Sequence, residues 1–524
     1  MGCVEAGLIT GPVVQRRGRW LSGNPSSFLL RSAPQPQNCA RFCHLISVTR
    51  MKIILWYRND LRTHDHEALW QAAQETGQVV PVYVFDPRLL AEHPLGFAKA
   101  GPVRQQFLAE SVQDLRLRLQ QLGSNLIVRV GLPEEVLSAL AQELGAEAVY
   151  ASEEVTQEEL AVETALEQRL LAAGRTLRTF WQTTLHHLDD LPMPVRNLPD
   201  VFTQFKNKVE KFGKVRPMFA VPDNLEFNET LELGTVPSVP AAAEYRPAFR
   251  GGETEAFHRL HDYFWTKDLL RTYKETRNGM LGLDYSSKFS VWLALGCLSP
   301  RFVLAEIQRY ETERIQNEST YWMGFELLWR DYFRFVAVKF GNRIFRSNGL
   351  KQEPLRHMPA TTKSAQRTFE QWRIGETGVP LIDANMKELL ETGFMSNRGR
   401  QNVASFLVKD LQLDWRWGAA WFESQGIDYD PCSNWGNWLY VAGVGNDPRE
   451  TRYFDILRQA TYYDPAGEYV KHWLPQLEHV PADKVHAVGL LTNDEQKHFA
   501  VRLGVDYPNP LVDVRKWGRE DDSR

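Results

Sequence analysis

Cysteine is scarce. The chain has five in 524 residues, and three of them, Cys3, Cys39 and Cys43, fall in its first 43 positions. That excludes a disulfide-dense secreted scaffold and leaves the body, with Cys297 and Cys432, as a protein of a reducing compartment. No apolar run approaches the roughly 18 residues a membrane span needs; the longest, 291–298, is broken by Gly296. Positive charge is not in excess either. The net of −4 excludes a generally basic nucleic-acid coat, although not a local basic patch. Several signatures are missing. No G-x-G-x-x-G follows the first strand and no G-x4-G-K-[ST] occurs, which argues against a fingerprint dehydrogenase and a P-loop NTPase. The second half has no H-E-x-x-H, G-x-S-x-G or C-x-x-C, so no self-contained metal or nucleophile site is visible there.

What is present is ordinary in bulk: 43% hydrophobic, 24% charged, and long enough for two to four domains. Residues 1–50 stand apart. They hold six arginines, one acid (Glu5) and no lysine, for a net of +5 against −9 in the remainder. This fits an organellar transit peptide, or an upstream extension with Met51 as the true start. Cys39, Cys43 and His44 in such an arm carry no metal reading.

From Met51 the hydrophobic period alternates. Strands are expected at 53–56, 79–85, 126–130, 148–151 and 177–181. Helices are expected at 67–75, 104–122, 133–144 and 158–173. Pro133 opens one helix and Gly145 closes it. Alternation of this kind predicts a doubly wound parallel sheet over 51–185, with ligands outside the carboxyl ends of its strands. A Pro-rich connector, 186–252, follows, with a helix near 201–212. The stretch 253–480 reads as all-helical, and 481–524 as a tail.

Sixteen tryptophans are unusual, and eight lie between Trp322 and Trp438. Polar residues strung among them fit a bound cofactor that supplies the chemistry; a Trp-rich core is the plainer reading. Ser286, Ser287, Lys288, Phe289 and Ser290 are expected to begin a helix and suit a phosphate. Glu326 and Arg330 sit four apart with Trp329 adjacent, where a surface ion pair is the ordinary outcome. Asn397 to Arg400 open another helix. Asp428, Asp430 and Asn434 are expected in a loop.

Taken together, these stretches resemble the photolyase/cryptochrome family, and within it the DASH cryptochromes. The resemblance covers over four-fifths of the chain, from Met51 to about Leu477. It is carried by 56–62 (WYRNDLR), 326–331 (ELLWRD), 392–401 (TGFMSNRGRQ), 428–438 (DYDPCSNWGNW) and 443–449 (GVGNDPR).

The resemblance implies FAD in the helical domain. Tyr273 and Ser286 to Ser290 would line its phosphates. Arg330, Asn397, Arg400, Asp428, Asp430 and Asn434 would surround the rest, with Asn434 toward the flavin ring and Arg400 paired to Asp410. It implies a light-driven, deoxyribodipyrimidine photo-lyase type of reaction that splits cyclobutane dimers, mainly in single-stranded DNA. Glu326 would hydrogen-bond the dimer, Trp329 and Tyr440 would flank it, and Arg398 and Gln401 would contact substrate. Gln401 and Tyr440 are the DASH-type residues, where conventional dimer photolyases have Met and Trp. Arg330, Arg343, Arg346 and Arg398 would meet DNA. Trp438 and Trp415 would relay electrons to the flavin. The family's outer tryptophan is replaced by Thr362, ten residues before Trp372, so the relay ends at Trp415 or detours. A 5,10-methenyltetrahydrofolate antenna is implied in the front domain, with Glu154 the candidate contact.

Partners expected are dimer-containing single strands, with RNA or duplex DNA weaker, no membrane and no metal, for a monomer. The competing reading is a blue-light photoreceptor that binds nucleic acid or a partner protein without significant repair; a dark redox flavoprotein is a third. The compartment is cytoplasmic if Met51 is the start or the source is bacterial, and plastid or mitochondrion if 1–50 is a transit peptide.

Overall fold

A computed structural model describes residues 51–75, 78–227, 231–239, 248–351, 362–446 and 453–517. The 1–50 extension, Pro240 and Pro247 of the connector, and Asp447 to Arg449 lie outside the described residues.

The front half holds β1 (Lys52–Tyr57), β2 (Gln78–Phe85), a small antiparallel pair β3 (Glu92–His93) and β4 (Phe97–Ala98), then β5 (Ile127–Val130), β6 (Ala148–Ser152) and β7 (Thr176–Phe180). Five of these form a parallel sheet in the order β5-β2-β1-β6-β7. This is the expected doubly wound sheet. β1 is buried on both faces, as a central parallel strand must be. Ile54 and Trp56 pack with Leu137, Leu140, Leu166 and Leu170 of the covering helices Pro133–Leu144 and Gln157–Ala172. Ile53, Leu55 and Tyr57 point the other way, into a core that continues unbroken into the helical half. Pro133 stands in the first turn and Gly145 takes φ 63°, a left-handed cap.

The strand order reverses between β1 and β6, where such a sheet keeps its ligand crevice. Here the chain fills that place itself. Arg334, from the long helix Glu318–Phe340, donates to Glu154 Oε2 at 2.6 Å and to the Glu153 carbonyl at 3.0 Å. On the same helix Asp331 accepts the backbone N–H groups of Leu185 and His186 at 2.9 and 2.8 Å. This helix is one joint between the two halves; others are the buried Arg301–Asp65 pair and Glu253, which accepts from the Thr63 N–H at 2.9 Å.

The described part of the connector is structured. Its helix Phe202–Phe212 packs Phe202 flat on Trp329, with ring centroids 3.6 Å apart, and Phe205 against Tyr332. Past residue 480 the chain also packs. Tyr507 donates to buried Asp383 at 2.6 Å, and the Leu511 N–H to the Thr377 carbonyl at 2.9 Å. No helix among the described residues is long and apolar enough to cross a membrane.

Candidate functional site

One cavity of about 320 Å³ opens in the helical half. That falls in the range of small-molecule sites. Three helices build most of its wall, each through a stripe at helical spacing. Glu318–Phe340 contributes Met323, Glu326, Leu327, Arg330 and Phe333, and Asn397–Ser405 contributes Asn397, Arg400, Gln401 and Ala404. Pro431–Ala442 contributes Asn434, Asn437, Trp438 and Val441. Each start is fixed by a cap: Asn317 in a capping box, Ser396 accepting from Gly399 N–H at 2.9 Å, and Asp430 accepting from Ser433 N–H at 2.7 Å.

That third helix corrects an expectation. The Gly, Pro and Asn content around Asp430 and Asn434 predicts a loop. Asp at the cap and Pro431 in the first turn are instead a helix start, and Asn434 sits on the first turn. The expected start at Ser286 is corrected too. Ser286 to Phe289 lead into a five-residue helix, Ser290–Ala294, and Lys288 takes φ 63°, which no helix continues.

Of the expected site residues, the cavity gathers Tyr273, Ser286 to Ser290, Glu326, Trp329, Arg330, Asn397, Arg400, Gln401, Asp428, Asp430, Asn434 and Trp438. Arg400 does not pair with Asp410. It donates to both oxygens of Asp428 at 2.9 and 3.0 Å, and Asp428 also accepts from Ser290 at 2.9 Å. The reason is winding. Residues 406–410 form a π turn, so counting along an α-helix from Arg400 reaches the wrong face. Asp410 goes to Lys516 at 2.6 Å. Glu154, at the end of β6, is a buried partner of Arg334 and also accepts from Asn59 at 3.3 Å.

Trp329, at the cavity wall, meets Tyr440 edge-on at 5.8 Å, although Tyr440 lies outside the cavity lining. Arg398 stands beside Gln401, to which it donates at 2.8 Å. Arg330 donates to the Thr183 and Leu293 carbonyls, and Arg343 to that of Leu350. Trp438 touches Trp372 at 6.3 Å and Phe422 at 5.5 Å. A Cβ on Gly418 would come within 2.2 Å of its ring, so the close approach requires glycine there. Trp415 meets Trp435 at 5.6 Å, and Thr362 caps the helix Lys363–Arg373.

Three residues escaped the sequence reading. Arg277 pairs with Glu326; it lies four residues after Tyr273, a spacing that could have found it. Phe202 backs Trp329 from a segment read as a connector. Glu388, one hundred residues from Lys288, is buried and accepts from Tyr469 at 2.7 Å. Its signal was an acid on the inward face of the helix Pro380–Thr392.

Burial pulls Lys288 down to about 7 and pushes Glu388 up to about 7. Lys288 lies over the Tyr285 ring, 3.1 Å from its centroid. The signs differ in consequence. A folded Glu388 pKa above the unfolded 4.5 stabilises the fold at low pH, and that contribution is lost as pH rises through about 7. Lys288 costs stability below its unfolded 10.5, and the cost fades as pH rises from about 7. Glu388→Gln in the flavin-free protein should therefore gain on wild type between about pH 5 and pH 7. Denaturant midpoints at the two pH values measure it. A variant-to-wild-type difference independent of pH would remove Glu388 from this role.

The lining suits a large anionic, aromatic ligand: hydroxyls, a buried lysine, an ion pair, amides and a tryptophan share one cavity. Known proteins agree. Residues 53–223 match the family model described as DNA photolyase, and residues 322–522 match the FAD binding domain of DNA photolyase. The chain is 53% identical over 470 residues to a cryptochrome DASH of Gloeobacter violaceus, covering 88% of this chain and 93% of that one. It is 51% identical over 448 residues to the chloroplastic/mitochondrial cryptochrome DASH of Arabidopsis thaliana, covering 84% and 78%. The solved structure of a Synechocystis cryptochrome superposes with a TM-score of 0.84 at 51% identity, covering 89% of this chain and 97% of that one.

Proposed function

The chain belongs to the photolyase/cryptochrome family, in its cryptochrome DASH branch, and from that premise we propose that it splits cyclobutane pyrimidine dimers under blue light, chiefly in single-stranded DNA. One observation carries the reading. Glu326, Trp329 and Gln401 line the same cavity as the Arg400–Asp428 pair and Asn434, so a lesion and a flavin would share one chamber.

Bound FAD would supply the photoexcited electron; the protein's part is to hold and to exclude. Arg400, clamped by Asp428, and Lys288 with Ser286, Ser287 and Ser290 would hold the anionic cofactor. The Asn434 amide donates to the Ala419 carbonyl at 3.0 Å, which fixes its plane and leaves its oxygen for the cavity. Trp329, held flat by Phe202, gives a flipped base a rigid stacking face. Glu326 is partnered by Arg277, and it exchanges that partner to hydrogen-bond a pyrimidine. Flipping out of a duplex costs a few kcal/mol, and a single strand spares that cost.

The test is one assay: reduced, FAD-loaded protein, blue light against dark, with the same thymine-dimer strand alone and in duplex. Light-dependent repair of the single strand supports the proposal. Equal repair of both removes the single-strand preference. No repair with an intact flavin spectrum favours the photoreceptor. Glu326→Ala should lower repair about tenfold, the low end for a hydrogen bond to a charged group, while flavin content stays unchanged. Repair at the wild-type rate would take Glu326 out of the mechanism.

A folate antenna belongs to the same reading; its contact at Glu154 would form on a carboxylate already held by Arg334. Acid release of the chromophores and their near-ultraviolet spectrum decides its presence. The Arg-rich, acid-poor residues 1–50 accord with import into a plastid or mitochondrion, and Met51 as the start is the alternative. Sequencing the mature N-terminus separates them.

A further inference from the structure

A chain of contacts leads out of the cavity to an exposed aromatic face. Gln401 lines the cavity, and Arg398 binds it at 2.8 Å while also reaching Asn278 at 3.2 Å. The Arg398 guanidinium lies 4.5 Å from the centroid of the Tyr463 ring. Tyr463 in turn packs edge-on against Tyr462, at 4.7 Å and 77°. Tyr462 ends the series in solvent, 74% exposed.

The helix that carries it, Ile456–Tyr463, buries Ile456 and Ala460 and leaves Arg458 exposed. Arg458 and Tyr462 are four apart, so they share the outward face. An aromatic ring this exposed gives up packing that an inward turn would supply. Tyr463 backs it on the inner side and is itself held by Arg398, so a run of contacts ties the ring to Gln401 in the cavity wall.

We propose that Tyr462 is a stacking shelf for a nucleobase just outside the cavity, on a single strand whose phosphate backbone is met by Arg458. This rests on the single-strand reading above and deepens it. The chemistry is that of sequence-tolerant single-strand binding, in which bases stack on aromatic rings and cations track the backbone. A duplex offers no free base face to the ring, because its bases are already stacked. The shelf is a positioning element. It touches neither the dimer nor the cofactor, and it acts by holding the flanking strand.

The test is binding in the dark, which is independent of repair. Full-length, FAD-loaded protein is titrated into a fluorescent oligo-dT of about a dozen nucleotides, within the span of one single-strand site. Tyr462→Ala should weaken binding about tenfold, and Tyr462→Phe should bind as wild type. Arg458→Gln should reduce the salt slope by about 0.7. A 2-aminopurine placed beside the dimer should be quenched by wild type and by Tyr462→Phe, and not by Tyr462→Ala. Repair at saturating substrate should be the same for all three.

Wild-type affinity in Tyr462→Ala would overturn the proposal. So would equal losses in the Ala and Phe variants, which would assign the effect to the hydroxyl, or an equal loss toward duplex DNA. Absent repair with these binding differences intact would sink the repair reading and leave the shelf standing.

Discussion

Asp428→Ala should yield a folded protein that purifies with little flavin. Asp428 is almost buried, accepts two bonds from Arg400 and one from Ser290, and thereby joins two walls of the cavity. Without it Arg400 faces the cavity as an unpartnered cation. Removing one partner of a buried pair costs about 3–5 kcal/mol. That is a cost to the fold; for the ligand, losing the bonds to a charged group that hold two cavity walls in place, worth about 1.5–3 kcal/mol each, lowers flavin affinity roughly 10- to 150-fold. The ratio of flavin to protein absorbance, and titration of the flavin-free variant with FAD, measure it. A full complement of tightly bound flavin would mean that the Arg400–Asp428 pair lies outside the cofactor site.

The second large effect lies at the joint between the sheet and the long helix. Arg334→Met should lower stability by about 3–5 kcal/mol, because it strands the buried Glu154 carboxylate at the end of β6. Arg334 and Glu154 have side-chain exposures of only 5% and 3%, so water cannot replace the lost partner. Replacing both, as Arg334→Met with Glu154→Leu, should restore most of the loss, since an apolar pair carries no desolvation cost. Urea midpoints of the three proteins report the pattern. A single variant within about 1 kcal/mol of wild type would show that the pair is not what fastens the sheet to the long helix.

Much of this protein was legible in its residues because the physics was local. The five parallel strands followed from the switch between periods of two and 3.6. Gly145 and Pro133 marked helix ends through backbone preferences that belong to the residues themselves. The motif stretches named the family, and most residues expected at the site do converge on one cavity. The Asp430–Pro431 start is the exception: a capping side chain and a Pro in the first turn signal a helix, yet the Gly, Pro and Asn content around them reads as a loop.

Pairings across the fold were another matter. Arg400 could not be matched to Asp428 by counting, because a π turn intervenes and the true partner enters from a separate segment. Glu388 near Lys288 and Phe202 behind Trp329 come from elements whose approach no spacing encodes. Glu154 sits at the strand end where a ligand crevice is expected, yet Arg334 from a helix 180 residues later fills that place. Local propensity fixes which elements form and where they end, since its determinants lie within a few residues. Which side chains share a cavity or a charge is decided by packing, which brings together residues that the chain keeps far apart.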